Sequence, residues 1–307
     1  MKTVKAIHST LKKKFEWFEN VEKEDNEEIN KFLYQYMHEG KKTFVWDDCE
    51  YQILQILNFK KLDFCIPLFN FIKEPTKENY KNLISERYYA ISENIVTALS
   101  GETSLSTPNE IAMSFFTSLI YCPIDEQILL LKSLISTEED EDLCWDEIDG
   151  KHTLIPLALI LANDYTSKGM TPEFKGIIND LLNKYPPNTL YSNVYKNLFS
   201  NDSEVVNSLF NQLCQYHLEK SIDNPKNFPE FEFPVHQAFP EEILVLLNLR
   251  AQNGLSNSMI KHPLIDPFLP FINEDVLHSD IMTNKQLCLR EIIFAEFNYT
   301  PIVSTVD

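Results

Sequence analysis

FPEFEFPVHQAFPEEILVLLNLRAQNGLSNSMIKHPLIDPFLPFI, residues 228–272, is the stretch from which the fold class of this chain can be predicted. Its middle has the pattern of one apolar helix. Pro240 stands where a first-turn proline is tolerated, and two glutamates follow it, at the end of the helix dipole that favours acids. From residue 243 to residue 250 apolar side chains cover most of the circumference, which is typical of a helix buried on several sides. Gly254 follows where a left-handed cap would end the helix, so we predict a central core helix from Pro240 to Gly254.

The rest of the chain also has the periodicity of helices. Thr107, Pro108 and Glu110 form the strongest start signal: an N-cap, a first-turn proline and the reciprocal glutamate of a capping box. Five of the six glycines stand at or near the ends of periodic segments, where glycine often terminates a helix. We therefore predict an all-α fold, an irregular multi-helix bundle of packed helical hairpins with about 11–13 helices.

Local start and stop signals predict the positions of individual elements. Capping residues precede the periodic segments, and glycine or proline follows them. We predict helices over 4–21, from Asn26 to Gly40, over 62–72 with a kink or break at Pro67, from Thr76 to Gly101, from Thr171, from Asp202 or Ser203, and over 284–297. Residues 44–46 are either a short strand or a turn.

The chain has 307 residues, enough for one large domain or two smaller ones. No glycine- and serine-rich or low-complexity linker divides it. We predict a single helical domain over 1–307, and the alternative is a division into two packed sub-layers, 1–101 and 106–307.

Composition and hydropathy indicate a globular protein outside the membrane. Hydrophobic residues make up 44% of the chain and aromatic residues 12%. The longest apolar run, Ile155–Ala162, is far shorter than the roughly 20 residues that span a bilayer. The first 19 residues contain lysines but no continuous apolar core after them, unlike a secretory signal. We expect a cytoplasmic location and no membrane contact.

The chain is strongly acidic, with a formal net charge of −19 from 46 acidic and 27 basic residues. A protein that neutralises phosphate groups needs the opposite surplus, so this charge argues against direct binding of nucleic acid or anionic membranes. Two interpretations are compatible with it: simple solubility, or attraction of a basic protein partner.

The cysteines and histidines do not form catalytic or metal-binding motifs. The six cysteines have no close pair, so zinc and redox spacings are absent, and we interpret all six as reduced. No HExxH or Glu-x-x-His motif occurs. We interpret the acid–histidine pairs at 149/152 and 275/278 as structural, and His217 as a hydrogen-bonded packing residue. We therefore expect no enzymatic activity, no metal and no cofactor, although catalytic groups can also assemble from distant positions.

The densest charge cluster is an acidic run at residues 138–149, which has eight acids and no base. One interpretation is a solvated loop between helices, as most runs of like charge are. The other is a docking patch, in which the acids attract a basic partner and Trp145 anchors it. The candidate partner-binding residues of this run are Glu138, Glu139, Asp140, Glu141, Asp142, Trp145, Asp146 and Glu147.

A second candidate surface is the aromatic loop from Phe228 to Phe239, which overlaps the proline-rich irregular connection over 221–238. An irregular connection of roughly 18 residues is long for a compact domain and is often functional. Its candidate partner-binding residues are Phe231 and Phe233. The alternative interpretation is a loop that covers the core.

Residues 150–270 resemble the all-helical immunity proteins of bacterial polymorphic-toxin systems, which include contact-dependent and type VI secreted toxins. The resemblance rests on the amphipathic helix Asp202–Leu218, the aromatic loop after it, and the apolar helix PEEILVLLNLRAQNG at Pro240–Gly254. The segment from Leu157 to Gly169 has a similar pattern. The resemblance lies in the order and apolar pattern of the helices and loops, and not in individual signature residues.

The resemblance implies a small cytoplasmic antagonist that binds one cognate toxin domain stoichiometrically and blocks its active site. An acidic immunity protein would suit a basic toxin such as a nuclease. From other function classes, we keep a helical scaffold or adaptor protein that binds peptides or partner proteins, and a helical hydrolase with dispersed catalytic residues.

Overall fold

The computed structural model describes residues 2–138, 145, 154–222, 230–231, 233–272 and 284–301. Within these ranges the chain forms 13 helices of at least eight residues, two shorter helices and a two-stranded sheet, which confirms the all-α prediction. The helices are α1 Val4–Val21, α2 Lys23–Glu39, α3 Ile53–Lys60, α4 Cys65–Lys73, α5 Lys77–Ser100, α6 Pro108–Tyr121, α7 Ile124–Ser136, α8 Leu154–Leu161, α9 Pro172–Lys184, α10 Thr189–Lys196, α11 Ser203–Lys220, α12 Pro234–Ala238, α13 Glu241–Gln252, α14 Leu269–Ile272 and α15 Asn284–Glu296; the strands are β1 Thr43–Trp46 and β2 Cys49–Gln52. None of the helices in the described ranges is both long enough and apolar enough to cross a membrane.

The predicted helix caps are present. The Thr107 hydroxyl accepts from the Glu110 amide at 3.3 Å, and the Glu110 carboxylate accepts from the Thr107 amide at 2.8 Å, which completes the capping box of α6. Asp202, rather than Ser203, caps α11. Gly40 and Gly101 have φ values of 66° and 72°, so each ends its helix in the left-handed conformation that a side chain disfavours.

Helix α13 is the predicted central helix. All ten residues from Glu241 to Arg250 are buried, and α13 packs against α6, α11 and α14. The helix starts at Glu241, one residue later than predicted, because Pro240 is its N-cap. The Arg250 side chain is buried, and its guanidinium donates to the carbonyl oxygens of Leu198 and Ser200.

Helix α5 connects the two sub-layers considered from the sequence. It packs against α3 and α4 on the N-terminal side of the chain and against α6 and α7 on the other. Its polar residues Glu93 and Asn94 are buried as completely as its apolar ones, because α5 is covered on nearly all sides.

The segment over 44–46 is a strand. Strands β1 and β2 form an antiparallel hairpin in which Trp46 pairs with Cys49. The two residues of the turn, Asp47 and Asp48, have φ values of 49° and 62°. A two-residue turn with positive φ at both positions matches the twist of the strands, and aspartate tolerates this conformation better than most residues.

Two boundaries differ from the sequence prediction. Helix α2 starts at Lys23 instead of after Asn26. The segment predicted over 62–72 is a 3₁₀ turn, Lys61–Phe64, followed by α4, so Pro67 falls in the first turn of α4, where its missing amide leaves no helical hydrogen bond unmade. Helix α8 changes at Ala162 into a π-helical turn.

Candidate partner-binding cleft

The structure describes two members of the acidic run, and both pack against α9 or its end. Glu138 accepts from Lys184 Nζ at 2.7 Å and from the Tyr185 hydroxyl at 3.1 Å. The Trp145 side chain is only 4% exposed; its indole donates to Thr137 Oγ1 at 2.9 Å, and its ring packs edge-on against Tyr185 at 5.2 Å. Trp145 therefore has a packing role here and offers no surface to a partner.

The other predicted residues of this run lie outside the described residues. They are Glu139, Asp140, Glu141, Asp142, Asp146 and Glu147. Their role in binding a partner stays a prediction, and it now depends on the acidic side chains without the tryptophan anchor.

The aromatic segment separates into one buried and one exposed phenylalanine. Phe231 is 0% exposed and packs on the His217 ring with 4.0 Å between ring centroids. Phe233 is 43% exposed and lies edge-on to His236. Phe231 thus belongs to the core, whereas Phe233 remains on the surface.

His217 holds the aromatic segment against the core, as the sequence interpretation of a hydrogen-bonded packing residue predicted. Its Nδ1 lies 2.7 Å from Glu242 Oε1 and its Nε2 lies 3.0 Å from the Gln237 carbonyl oxygen. A carbonyl can only accept, so Nε2 carries a proton, and a second proton must lie between Nδ1 and the carboxylate. The pair is therefore electrically neutral as a whole, which suits its complete burial.

An open cleft of about 610 Å³ lies between α1 and α2 on one side and α4 and α5 on the other. This volume lies within the roughly 300–1,000 Å³ typical of ligand-binding sites. Its wall has five asparagines, four carboxylates, three lysines and three apolar side chains: Asn26, Asn30, Asn70, Asn79, Asn82, Glu19, Glu27, Asp63, Glu86, Lys23, Lys60, Lys285, Phe18, Ile66 and Pro67.

Helical spacing places the polar side chains on the two walls. Asn26 and Asn30 on α2 are four residues apart and share one face. On α5, Asn79, Asn82 and Glu86 repeat at three and four residues. The cleft is therefore formed by the polar edges of helices whose opposite faces are in the core.

A buried ion network forms the floor of the cleft. Lys60 Nζ lies 2.9 Å from Asp63 Oδ2 and 3.4 Å from Glu86 Oε2. Burial acts to lower the pKa of Lys60, but these two carboxylates outweigh it and raise the pKa. Beside this network, burial lowers the pKa of Lys285, and the positive charge of Lys60 lowers it further against the attraction of Glu86. Lys60, Asp63 and Glu86 thus hold one another in fixed positions at the floor of the cleft.

Three of the asparagines present unused hydrogen-bonding groups to the cleft. The side-chain amides of Asn30, Asn70 and Asn82 are exposed, and none has a partner within the described ranges. In addition, the buried Asn26 Oδ1 has no donor among the residues that the structure describes. An asparagine amide both donates and accepts, so it can pair with either group of a peptide backbone.

The cleft is bordered by an acidic corner, residues 16–28, where α1 meets α2. This corner has seven acids and one base, Lys23. Glu19 and Glu27 extend from it onto the cleft wall; Trp17 belongs to the corner but does not line the cleft, and it is 41% exposed. The combination of acids with an exposed tryptophan, expected at 138–149, occurs here instead.

Sequence reasoning missed the acidic corner because its acids lie within helices rather than in one uninterrupted run. The available signal was the count of seven acids in residues 16–28 together with Trp17. The cleft itself had no such signal, since its wall combines residues from Phe18 to Lys285.

Within the described residues, no group of three or more histidine, cysteine, aspartate or glutamate side chains is arranged to hold a metal ion. No protein-family model, no curated protein and no solved structure matches the chain.

Proposed function

We propose that this chain is an immunity protein, which binds a cognate, basic toxin domain through the cleft and the acidic corner and thereby covers the toxin's active site. The cleft carries the proposal: it is an open, polar, pre-formed concavity, bordered by an acidic surface. The proposed action involves binding alone, without enzymatic turnover, metal or cofactor.

Charge supports a basic partner. A net charge of −19 attracts a positively charged protein over distances of about 8–10 Å at physiological salt, and the acidic corner concentrates that charge beside the cleft. Such attraction raises the association rate more than the final affinity. Affinity would then come from the contacts buried at the cleft wall.

The asparagines favour a second candidate function, a helical scaffold or adaptor protein. Unpaired amides on opposite walls of a cleft suit an extended peptide, whose N–H and C=O groups alternate along the backbone. An adaptor would bind several peptides there, whereas an immunity protein would bind one folded domain tightly.

Co-expression with the products of neighbouring genes tests the proposal. We expect a stoichiometric complex with one toxin on size-exclusion chromatography, and restored growth of cells that express that toxin. The immunity function would be contradicted if no neighbouring toxin formed a complex with the chain and none was neutralised by it in growing cells. Micromolar binding of several unrelated peptides would instead support the adaptor.

A cleft variant tests where the partner binds. In Asn30→Ala/Asn82→Ala, two exposed amides are removed from the walls, so we expect about tenfold weaker binding, equivalent to about 1.4 kcal/mol. The control is Asn201→Ala, an exposed asparagine away from the cleft. Equal affinity of all three proteins would exclude the cleft as the binding site.

A further inference from the structure

A second, smaller cavity of about 50 Å³ lies beneath the short helix α12 and shares no wall residue with the cleft. Helices α1, α4, α5 and α6 and the 3₁₀ turn form its other sides, and Phe233 stands at its edge. The side chains on its wall that bear or can bear a charge at neutral pH are Lys14, Lys61, Arg87, Glu110 and His236.

Arg87, Lys61 and His236 on this wall have hydrogen-bond donors that the described residues do not use. Arg87 donates Nε and Nη2 to Glu241, at 2.9 and 3.2 Å, and its Nη1 has no partner in the described part of the chain. Lys61 Nζ donates to Ser106 Oγ at 2.6 Å and lies 3.6 Å from Glu93 Oε2, which leaves a further donor. The His236 side chain is 6% exposed, and neither of its ring nitrogens has a hydrogen-bond partner among the described residues. A ligand in the cavity that accepts hydrogen bonds can use these donors.

The charges around the cavity balance when His236 is neutral. Lys14, Lys61 and Arg87 are the bases, and three carboxylates, Glu93, Glu110 and Glu241, lie on or directly behind the wall. An anion in the cavity would add one negative charge, which protonation of His236 would offset. Binding of an anion and uptake of one proton would thus leave the buried cluster neutral.

His236 is arranged to be neutral while the cavity holds no anion. Burial lowers the pKa of His236 to about 3, and the positive charges of Arg87 and Lys61 contribute, against the attraction of Glu110. The titratable and charged groups that face His236 from the surrounding elements are Lys14 on α1, Lys61 in the 3₁₀ turn, Cys65 on α4, Arg87 on α5, Glu110 on α6 and His217 on α11.

We propose that this cavity binds a small oxyanion, with His236, Arg87 and Lys61 as its hydrogen-bond donors. The cavity corresponds to about four water-sized spheres, so it suits an anion of four or five heavy atoms, such as a carboxylate or a phosphate. The fork of Arg87 is occupied by Glu241, and its remaining Nη1 can donate a charge-assisted hydrogen bond to one oxygen of either anion. The proposal does not depend on the partner-binding function.

Titration calorimetry with sodium acetate and with sodium phosphate tests the site, with sodium chloride at equal ionic strength as the reference. We expect saturable binding of at least one oxyanion to the wild-type chain. Acetate keeps its charge between pH 8 and pH 6, so any pH dependence of its binding reports the protein. We expect tighter acetate binding at pH 6 than at pH 8, by up to about tenfold per pH unit for one coupled proton.

Matched variants test the proton coupling of His236 and the positive charge of the wall. His236→Gln should remove the pH dependence of acetate binding, and Lys14→Gln, at a partly exposed residue, should weaken binding several-fold without endangering the fold. His8→Gln removes a partly buried histidine of α1 that does not line the cavity and should bind like the wild type. The proposal is overturned if neither anion binds the folded wild-type chain beyond chloride, or if His236→Gln retains the wild-type pH dependence.

Discussion

Glu241 and Glu242 stand side by side in the first turn of α13, yet each is neutralised by a base from a different helix. Glu241 accepts from Arg87 of α5 and from the Thr117 hydroxyl of α6, and Glu242 pairs with His217 of α11. From the sequence, both were first-turn acids favoured by the helix dipole. The dipole still favours both acids, but both are buried, and an unpaired buried charge is strongly unfavourable. The paired bases therefore stabilise the two carboxylates more than the helix dipole does.

Glu241→Gln should lower the free energy of unfolding by about 3–5 kcal/mol, because it leaves the Arg87 charge buried without its carboxylate. Urea denaturation measures the change. The control is Glu173→Gln, which removes the exposed first-turn acid of α9 and should cost about 0.3–1 kcal/mol or less. Similar losses in the two variants would show that the Arg87–Glu241 pair adds nothing to stability.

His236 should make stability depend on pH. Its pKa is about 3 in the folded chain and 6.5 in the unfolded chain, so the unfolded state binds the proton first as pH falls. The contribution is fully present above pH 6.5 and decreases below it, by about 2 kcal/mol between pH 7 and pH 5. The measurement is urea denaturation in buffers free of carboxylate and phosphate, compared with His236→Gln. The same pH dependence in both proteins would refute this assignment.

At the scale of elements, the ends of helices are determined by residues close to them in the sequence, whereas the contacts between helices are not. The caps at Thr76 and Thr107 involve atoms within three residues, and the sequence identified both. Pro67 was misjudged because a proline breaks a helix only beyond the first turn, and the start of α4 depends on the preceding 3₁₀ turn. That turn packs against α5, a contact that the local sequence does not encode.

Two glycine-to-alanine substitutions should have opposite effects on stability. Gly101 ends α5 at φ 72°, so Gly101→Ala should cost about 1 kcal/mol through backbone strain. Gly176 lies exposed inside α9, and a Cβ there meets no atom within 4 Å, so Gly176→Ala should stabilise by about 0.5–1 kcal/mol. Thermal unfolding measures both. A shift of the same sign in the two variants would contradict the assigned conformations.

At the scale of the whole molecule, the two binding proposals depend on residues that lie far apart in the sequence. The cleft wall includes Glu19 of α1 and Lys285 of α15, and the oxyanion cavity combines Arg87 with His236. The acidic corner concentrates negative charge beside the cleft, in a chain that is acidic in general. A partner attracted by net charge alone would not distinguish this corner from the rest of the surface.

Reversing charge in the acidic corner should slow association with a basic partner more than the same reversal elsewhere. For Glu19→Lys/Glu27→Lys we expect an association rate constant about tenfold lower at low salt, and a smaller difference at high salt. The control, Glu173→Lys/Asp180→Lys on α9, changes net charge equally away from the cleft. Stopped-flow measurements compare them. Equal rates for the two variants would mean that only net charge matters.

The sequence by itself determined the all-α class, most helix ends and the burial of α13, because each follows from hydrogen bonds and periodicity within a few residues. Only the tertiary structure decided that Trp145 is buried, that Trp17 is exposed, and that the polar edges of α2 and α5 form one cleft. Burial and concavity depend on which helices become neighbours. That choice minimises exposed apolar surface over the whole chain, and no local stretch specifies it.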